Sequence, residues 1–254
     1  MASDGAIRLR PSAARGRMGG GRADQPGIVA TEAFSRGDSI DPAWMGWGVL
    51  RVLSRQDWAP GAVRDEGRVA NMERLLLVLE GAMDVDGGAL GRHRVETGGT
   101  LWIGTGHGAS VRLANASARH PLRLLECWLQ PDRVNAPPAM AVRAPAPPPD
   151  GQGEGSPAWS VLAGGGGVDA LPLRQQARLL AARIAADGAP ILPPGDGRRW
   201  LEVLEGEVIV DATPGGTLAA GDGLAWSGTQ PGPAPALRAA GTGPAWLLLL
   251  ELPA

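Results

Sequence analysis

The feature that most constrains this chain is an internal repeat. The stretch "LLLVLEGAMDVDG" beginning at Leu75 recurs as "WLEVLEGEVIVDA" beginning at Trp200, with V-L-E-G common to both. Two further blocks follow in the same order. "VETGGTLWIGT" from Val95 answers to "LAAGDGLAWSGT" from Leu218, and "HPLRLLECWL" from His120 answers to "GPAWLLLLEL" from Gly243. Gly98 to Pro121 is 23 positions, and Gly221 to Pro244 is also 23. Three blocks in order at matched spacing make two copies of one structural unit.

Each block reads as β-structure. "LLLVLEG" is a continuous apolar run, as expected of a strand covered on both faces, and its glycine ends it where a turn needs positive φ. After Gly81, Met83 and Val85 alternate with Asp84 and Asp86, which gives one buried and one wet face. The "TGG" and "AGD" blocks are turns before strands whose Trp102 and Trp226 are expected to fill barrel interiors. Short strands punctuated by Gly and Pro and repeated twice imply an all-β pair of barrels or sandwiches. Over 173–188, "LRQQARLLAARIAADG", residue propensity favours a helix. Its place before the second V-L-E-G matches that of "GVLRVLSRQDW" before the first, and this favours a strand. "APPAMAVRAPAPPPDGQGEG" from Ala136 reads as an extended linker.

Charge excludes some functions. All 24 basic residues are Arg, and the net charge of −2 provides no global positive field for nucleic acid. Five arginines between Arg8 and Arg22 form either a basic arm or, as the sequence favours, a solvated, frayed terminus. Cys127 is the only cysteine, which fits a reducing compartment, and its apolar surroundings predict a buried structural thiol. No secretory apolar core and no run of about 18 apolar residues is present, so a cytoplasmic protein without membrane contact is expected.

The segments "IRLRPSAARGR", "FSRGDSIDPAWMGWGVLRVLSRQD" from Phe34, "MERLLLVLEGAMDVDG" from Met72 and "HPLRLLECWLQPD" from His120 resemble the N-terminal cupin of pirin-family bicupins. "RRWLEVLEGEVIVD" from Arg198 with "AAGDGLAWSG" is similar to their C-terminal cupin. The resemblance implies an all-β bicupin, two cupin (double-stranded β-helix, jelly-roll) barrels in one chain. It divides the chain into a basic Gly/Arg-rich arm over 1–30, an N-terminal cupin over 31–135, a linker over 136–158 and a C-terminal cupin over 159–254. It further implies iron or another divalent metal held by three His and one Glu in the first barrel, with quercetin cleavage by dioxygen or a nuclear cofactor role in some members.

The resemblance fails at those ligands. Aligning the family's His-x-His and following Glu with Glu73 puts the two histidine positions on Gly67 and Val69. Counting back from Trp128 puts the later His-x-Glu pair on Val111 and Leu113. Alkyl groups donate nothing to Fe²⁺ or Zn²⁺, so no cofactor is predicted and the expected protein is a metal-free structural or binding module. Of the three histidines, His93 and His120 are expected on the surface, and His107 is the one a locally shifted alignment would bring towards the site. Glu73 is expected in a structural hydrogen bond. Two alternatives stand beside this reading: a quercetinase-like dioxygenase using His107 and Glu73, and a barrel whose apolar pocket, lined by Trp102, binds a small apolar ligand. Substrate, protein partners and oligomeric state are not specified by the sequence.

Overall fold

The computed structural model describes residues 7–19, 27–145, 159–167, 169–211, 216–228, 234–240 and 243–254. Parts of the expected basic arm (1–6 and 20–26) and of the expected linker (146–158) lie outside the described residues. The first twelve strands are β1 Arg8–Arg10, β2 Gly16–Gly19, β3 Ile28–Glu32, β4 Leu50–Trp58, β5 Val63–Val69, β6 Glu73–Glu80, β7 Ala82–Asp86, β8 Arg92–Glu96, β9 Thr100–Gly104, β10 Ala109–Asn115, β11 Leu122–Leu129 and β12 Ala139–Arg143. The remaining eight are β13 Ser160–Ala163, β14 Arg178–Ile184, β15 Arg198–Glu205, β16 Glu207–Val210, β17 Thr217–Ala219, β18 Gly223–Ser227, β19 Leu237–Ala239 and β20 Ala245–Leu252. The segment of ambiguous propensity is therefore a strand, β14, and no α-helix occurs among the described residues. None of the described elements is a helix long and apolar enough to cross a membrane.

The first barrel joins a seven-stranded sheet, in order β12-β9-β6-β11-β4-β3-β2, to a four-stranded one, β5-β10-β7-β8. The second joins β1-β18-β15-β20-β14-β13 to β17-β16-β19. The apolar runs are continuous because they serve two cores at once. Along β6, Leu75, Leu77 and Leu79 pack between the barrels, while Leu76 and Val78 pack inside the first. Along β20, Leu248 and Leu250 face the other barrel while Leu247 and Leu249 fill the second interior. The two V-L-E-G glycines are structurally equivalent. Gly81 (φ +84) and Gly206 (φ +74) lie in the left-handed region, where a Cβ would meet the carbonyl oxygens of Pro121 and Pro244 at 2.8 and 2.5 Å.

The chain departs from the sequence expectations in two places. Gly98 and Gly221 set an offset of 123 residues between the copies, which puts Trp102 level with Ala225 and Trp226 level with Ile103. A shift of one residue turns a side chain to the opposite face of a strand. Trp226 thus fills the second barrel, whereas Trp102 packs in the core between the barrels and not inside the first. The second departure concerns the arm. β1 is not frayed; it pairs antiparallel with β18 of the second barrel, Leu9 facing Leu224, and Arg10 and Arg15 are buried. Conversely β12, inside the expected linker, pairs with β9 of the first barrel, Val142 facing Leu101. Because Leu101 and Leu224 differ by the same 123 residues, β1 and β12 are equivalent strands, each given to the other unit.

Candidate functional site: the interior of the first barrel

The four expected ligand positions come together on two neighbouring strands. Gly67 and Val69 lie on β5 and Val111 and Leu113 on β10, which runs antiparallel beside it. Val69 faces Ala109 and Arg64 faces Leu113, with a β-bulge between Ser110 and Arg112. Val111 and Leu113 are buried in the apolar core of the barrel with Met83, Val85 and Leu124. Gly67 is exposed at φ +67, and Val69 is half-buried.

Beside them the interior is ionic. Alternation along β4, β5, β6 and β11 brings Ser54, Gln56, Arg64, Glu66, Arg74 and Glu126 together. Glu126 is fully buried and accepts from Arg74 Nε at 3.0 Å, Arg74 Nη2 at 2.5 Å, Arg64 Nη2 at 2.8 Å, Gln56 Nε2 at 2.9 Å and Trp128 Nε1 at 2.8 Å. Glu66 closes the ring, 3.1 Å from Arg64 Nε and 2.6 Å from Arg74 Nη2. Gln56 Oε1 accepts from Arg64 at 2.9 Å and from Trp58 Nε1 at 3.0 Å. The chain of bonds continues through Ser54 Oγ, 2.9 Å from Glu32, and Glu32 pairs with Arg36 at 3.4 Å. Two guanidinium groups and two carboxylates are thus enclosed together and paired by charge, Arg64 Nε and Glu66 Oε2 lying within ion-pair distance of their partners without a hydrogen bond.

Burial alone would raise the Glu126 carboxyl, but Arg64 and Arg74 outweigh it and hold the group well below the usual carboxylate range. Burial pushes Glu32 up, against Arg36 and Ser54. The two therefore act oppositely on stability. With a depressed folded pKa, Glu126 contributes above its unfolded value of 4.5 and loses that contribution as pH falls below it. With a raised one, Glu32 contributes below 4.5 and loses its contribution as pH rises through the folded value. In a Glu32→Gln, Glu73→Gln background, which removes the two carboxyls that burial pushes up, the urea midpoint is expected to fall steadily from about pH 5 to about pH 3. A level midpoint over that range would mean that Glu126 is not held ionised.

The other candidates lie elsewhere. Glu73 faces the core between the barrels, where it accepts from Trp102 Nε1 at 2.7 Å and the Arg174 backbone N–H at 3.0 Å, and burial pushes its carboxyl up. The Arg174 guanidinium stacks over the Trp102 ring at 5.3 Å. Glu73 thus takes the structural hydrogen bond expected of it, joining β6 to the second barrel. His107 is exposed in the turn after β9, so it does not meet Glu73. His93 and His120 are exposed as well. Cys127 is buried, and burial, followed by Glu202 and Glu126, pushes its thiol up, which suits a structural role and not a nucleophile. Among the described residues no three His, Cys, Asp or Glu side chains converge as metal ligands would. A cavity of about 440 Å³ beside the four-stranded sheet is bordered by Asp84, Asp86, Arg92, His93, Arg94 and Arg112, none of which is one of the expected ligand positions.

The ionic ring was open to discovery from the sequence. Arg74 in "MERLLLVLEG" and Glu126 in "LRLLECWL" share the phase of Leu76 and Val78 and of Leu122 and Leu124, the residues that point into the barrel. A charge at an inward position of a buried strand requires a partner.

No family model matches the sequence. Among curated proteins, the pirin-like protein YhaK of Escherichia coli K12 is 30% identical over 117 residues, 45% of this chain and 50% of YhaK. The chain spans about half the length of that relative in the match. Among solved structures, the bacterial pirin YhhW of Escherichia coli in complex with nickel(II) superposes with a TM-score of 0.81 at 23% identity, over 97% of this chain and 99% of the other. Quercetin 2,3-dioxygenase of Acinetobacter baumannii superposes with a TM-score of 0.73 at 15% identity, over 97% of this chain and 86% of the other.

Proposed function

We propose that this chain is a pirin-like bicupin that works as a metal-free structural or binding module and not as an oxygenase. The carrying observation is the combination of Val111 and Leu113 in the apolar core with the Arg64–Glu66–Arg74–Glu126 ring beside them. The donor set does not fit a divalent cation. Two of the four ligand positions are buried alkyl groups, a third is an exposed glycine, and the nearby carboxylates are already bound to guanidinium groups. An added divalent ion would sit next to two buried positive charges, in a medium where such repulsion is weakly screened. The internal arginines supply the positive charge that the interior of the family's barrels takes from a metal. The exchange removes the cost of burying unpaired ligands, about 1–3 kcal/mol for each unsatisfied polar group.

The nickel of the YhhW complex therefore has no counterpart proposed in this chain. The dioxygenase alternative loses its constellation, because Glu73 and His107 do not meet. The apolar-pocket alternative loses its lining residue, since Trp102 packs between the barrels. A reducing cytoplasmic setting suits the buried free thiol of Cys127. Elemental mass spectrometry of the purified protein is expected to find well under one equivalent of any transition metal. Stoichiometric iron, nickel or zinc would overturn the reading.

A further inference from the structure

Where the seam between the barrels opens to solvent, a cavity of about 340 Å³ is lined by Ser12, Arg15, Arg17, Thr31, Arg55 and Gly221, together with two alanines. Its floor is one row of the seven-stranded sheet: Arg17 faces Thr31 across β2 and β3, and Thr31 faces Arg55 across β3 and β4. Directly opposed residues on neighbouring strands have Cβ atoms about 4.5–5.5 Å apart, so the two arginines flank the threonine hydroxyl. The Arg55 Nη1 donates to the Leu204 carbonyl oxygen of the second barrel at 3.0 Å, which fixes its side chain in the seam.

The electrostatics of this cavity are unbalanced. Neither Arg17 nor Arg55 lies within ion-pairing distance of a carboxylate among the described residues. Arg15 forms the opposite wall with its side chain fully enclosed; it binds both oxygens of Glu202, at 2.7 and 2.8 Å, and its Nε has no hydrogen-bond partner. The acids nearby are occupied. Glu202 also accepts from Trp200 Nε1 at 2.9 Å, and Asp222 accepts from the backbone N–H groups of Ser12 at 2.6 Å and Ala219 at 3.0 Å. Asp57 is taken by Arg123 at 2.8 Å. Burial, with Arg123 and Arg15 acting in the same direction, holds the Arg55 guanidinium below its ordinary range against the pull of Glu202 and Asp57, so its charge is incompletely compensated.

We propose that this seam cavity is a binding site for a small doubly charged oxyanion, a phosphate ester or a dicarboxylate, held between Arg17 and Arg55 over the Thr31 hydroxyl. Guanidinium groups present a planar fork matched to phosphate and carboxylate oxygens, and the volume lies at the small end of ligand pockets, about 300–1,000 Å³. The site needs no metal, and it stands whether or not the first barrel carries one. A bound anion would tie β2 and β4 of the first barrel to the turn at Gly221 and the Arg15 wall of the second.

The test is titration calorimetry of the whole chain with methyl phosphate and with malonate, ionic strength being held constant with sodium chloride. Binding of at least one anion is expected, weakened about tenfold or more in Arg17→Gln and in Arg55→Gln, since each loses a charge-assisted contact. Arg17 is exposed, so the Arg17→Gln melting temperature should be that of the parent. Arg92→Gln, on the outer face of the first barrel, should bind as the parent does. Preference for methyl phosphate would assign a phosphate ester, and preference for malonate a dicarboxylate. Absence of binding by either anion at about ten millimolar, or binding that survives both seam substitutions, overturns the proposal.

Discussion

Glu126→Ala is expected to lower the unfolding free energy by about 3–5 kcal/mol, the cost of leaving buried charge without its partner. That is a large share of the roughly 5–15 kcal/mol available to a folded domain. Two enclosed guanidinium groups lose a shared carboxylate, and Gln56 and Trp128 lose an acceptor. The loss belongs to the uncompensated cations and not to the worth of the ring. Replacing Arg64, Glu66, Arg74 and Glu126 together by Met or Leu is therefore expected to recover most of the stability, because apolar groups of similar volume commonly substitute for a buried ion pair at little cost. Urea denaturation followed by tryptophan fluorescence measures both variants. A cost below about 1 kcal/mol for Glu126→Ala would mean that water reaches the ring and screens it.

Trp200→Ala should cost a similar amount, about 3–5 kcal/mol, for a different reason. The Trp200 ring is fully buried between the barrels, edge-on to Phe34 at 5.0 Å and to Trp44 at 5.7 Å. Its removal leaves a cavity and withdraws a donor from buried Glu202. The side chain belongs to β15 of the second barrel, yet both rings it touches come from the segment after β3 of the first. Hydrogen exchange should therefore accelerate by comparable factors in β7 and in β16, on the far sides of the two barrels. Faster exchange in β16 alone would show that the barrels unfold independently.

The legible part of this molecule was the part governed by periodicity. Two-sided burial of Leu75–Leu79 and the turn at Gly81 follow from apolar pattern and backbone freedom, and the copy at Trp200 repeats them. Which face Trp102 takes depended on one residue of register, and the offset between the glycines holds that information where a matched tryptophan does not. The fate of Arg8–Arg10 was hidden for another reason: its partner strand lies in the other copy, and an arginine-rich segment reads as solvated unless that partner is known. The β5 half of the ionic ring was obscured similarly, whereas the phase of Arg74 and Glu126 marked the other half. "VRDEGRV" has the composition of a wet strand, although Arg64 and Glu66 point inward to ions supplied by β6 and β11.

Exchange of the first strands also imposes an order on how the chain can be completed during synthesis. Arg8 pairs with Ala225, 217 residues later in the sequence (225 minus 8). At about 5–20 residues per second a ribosome needs roughly 10–40 s to make that stretch. The first barrel can receive β12 as soon as residues 139–143 emerge, so its own sheet is filled early. β1 is the earliest of the described strands and among the last of them to find a place. Until residue 202 is made Arg15 lacks its partner Glu202, and until residues 223–227 are made β1 has no strand to pair with. The β1 segment thus acts as a latch that closes only once β18 has been made.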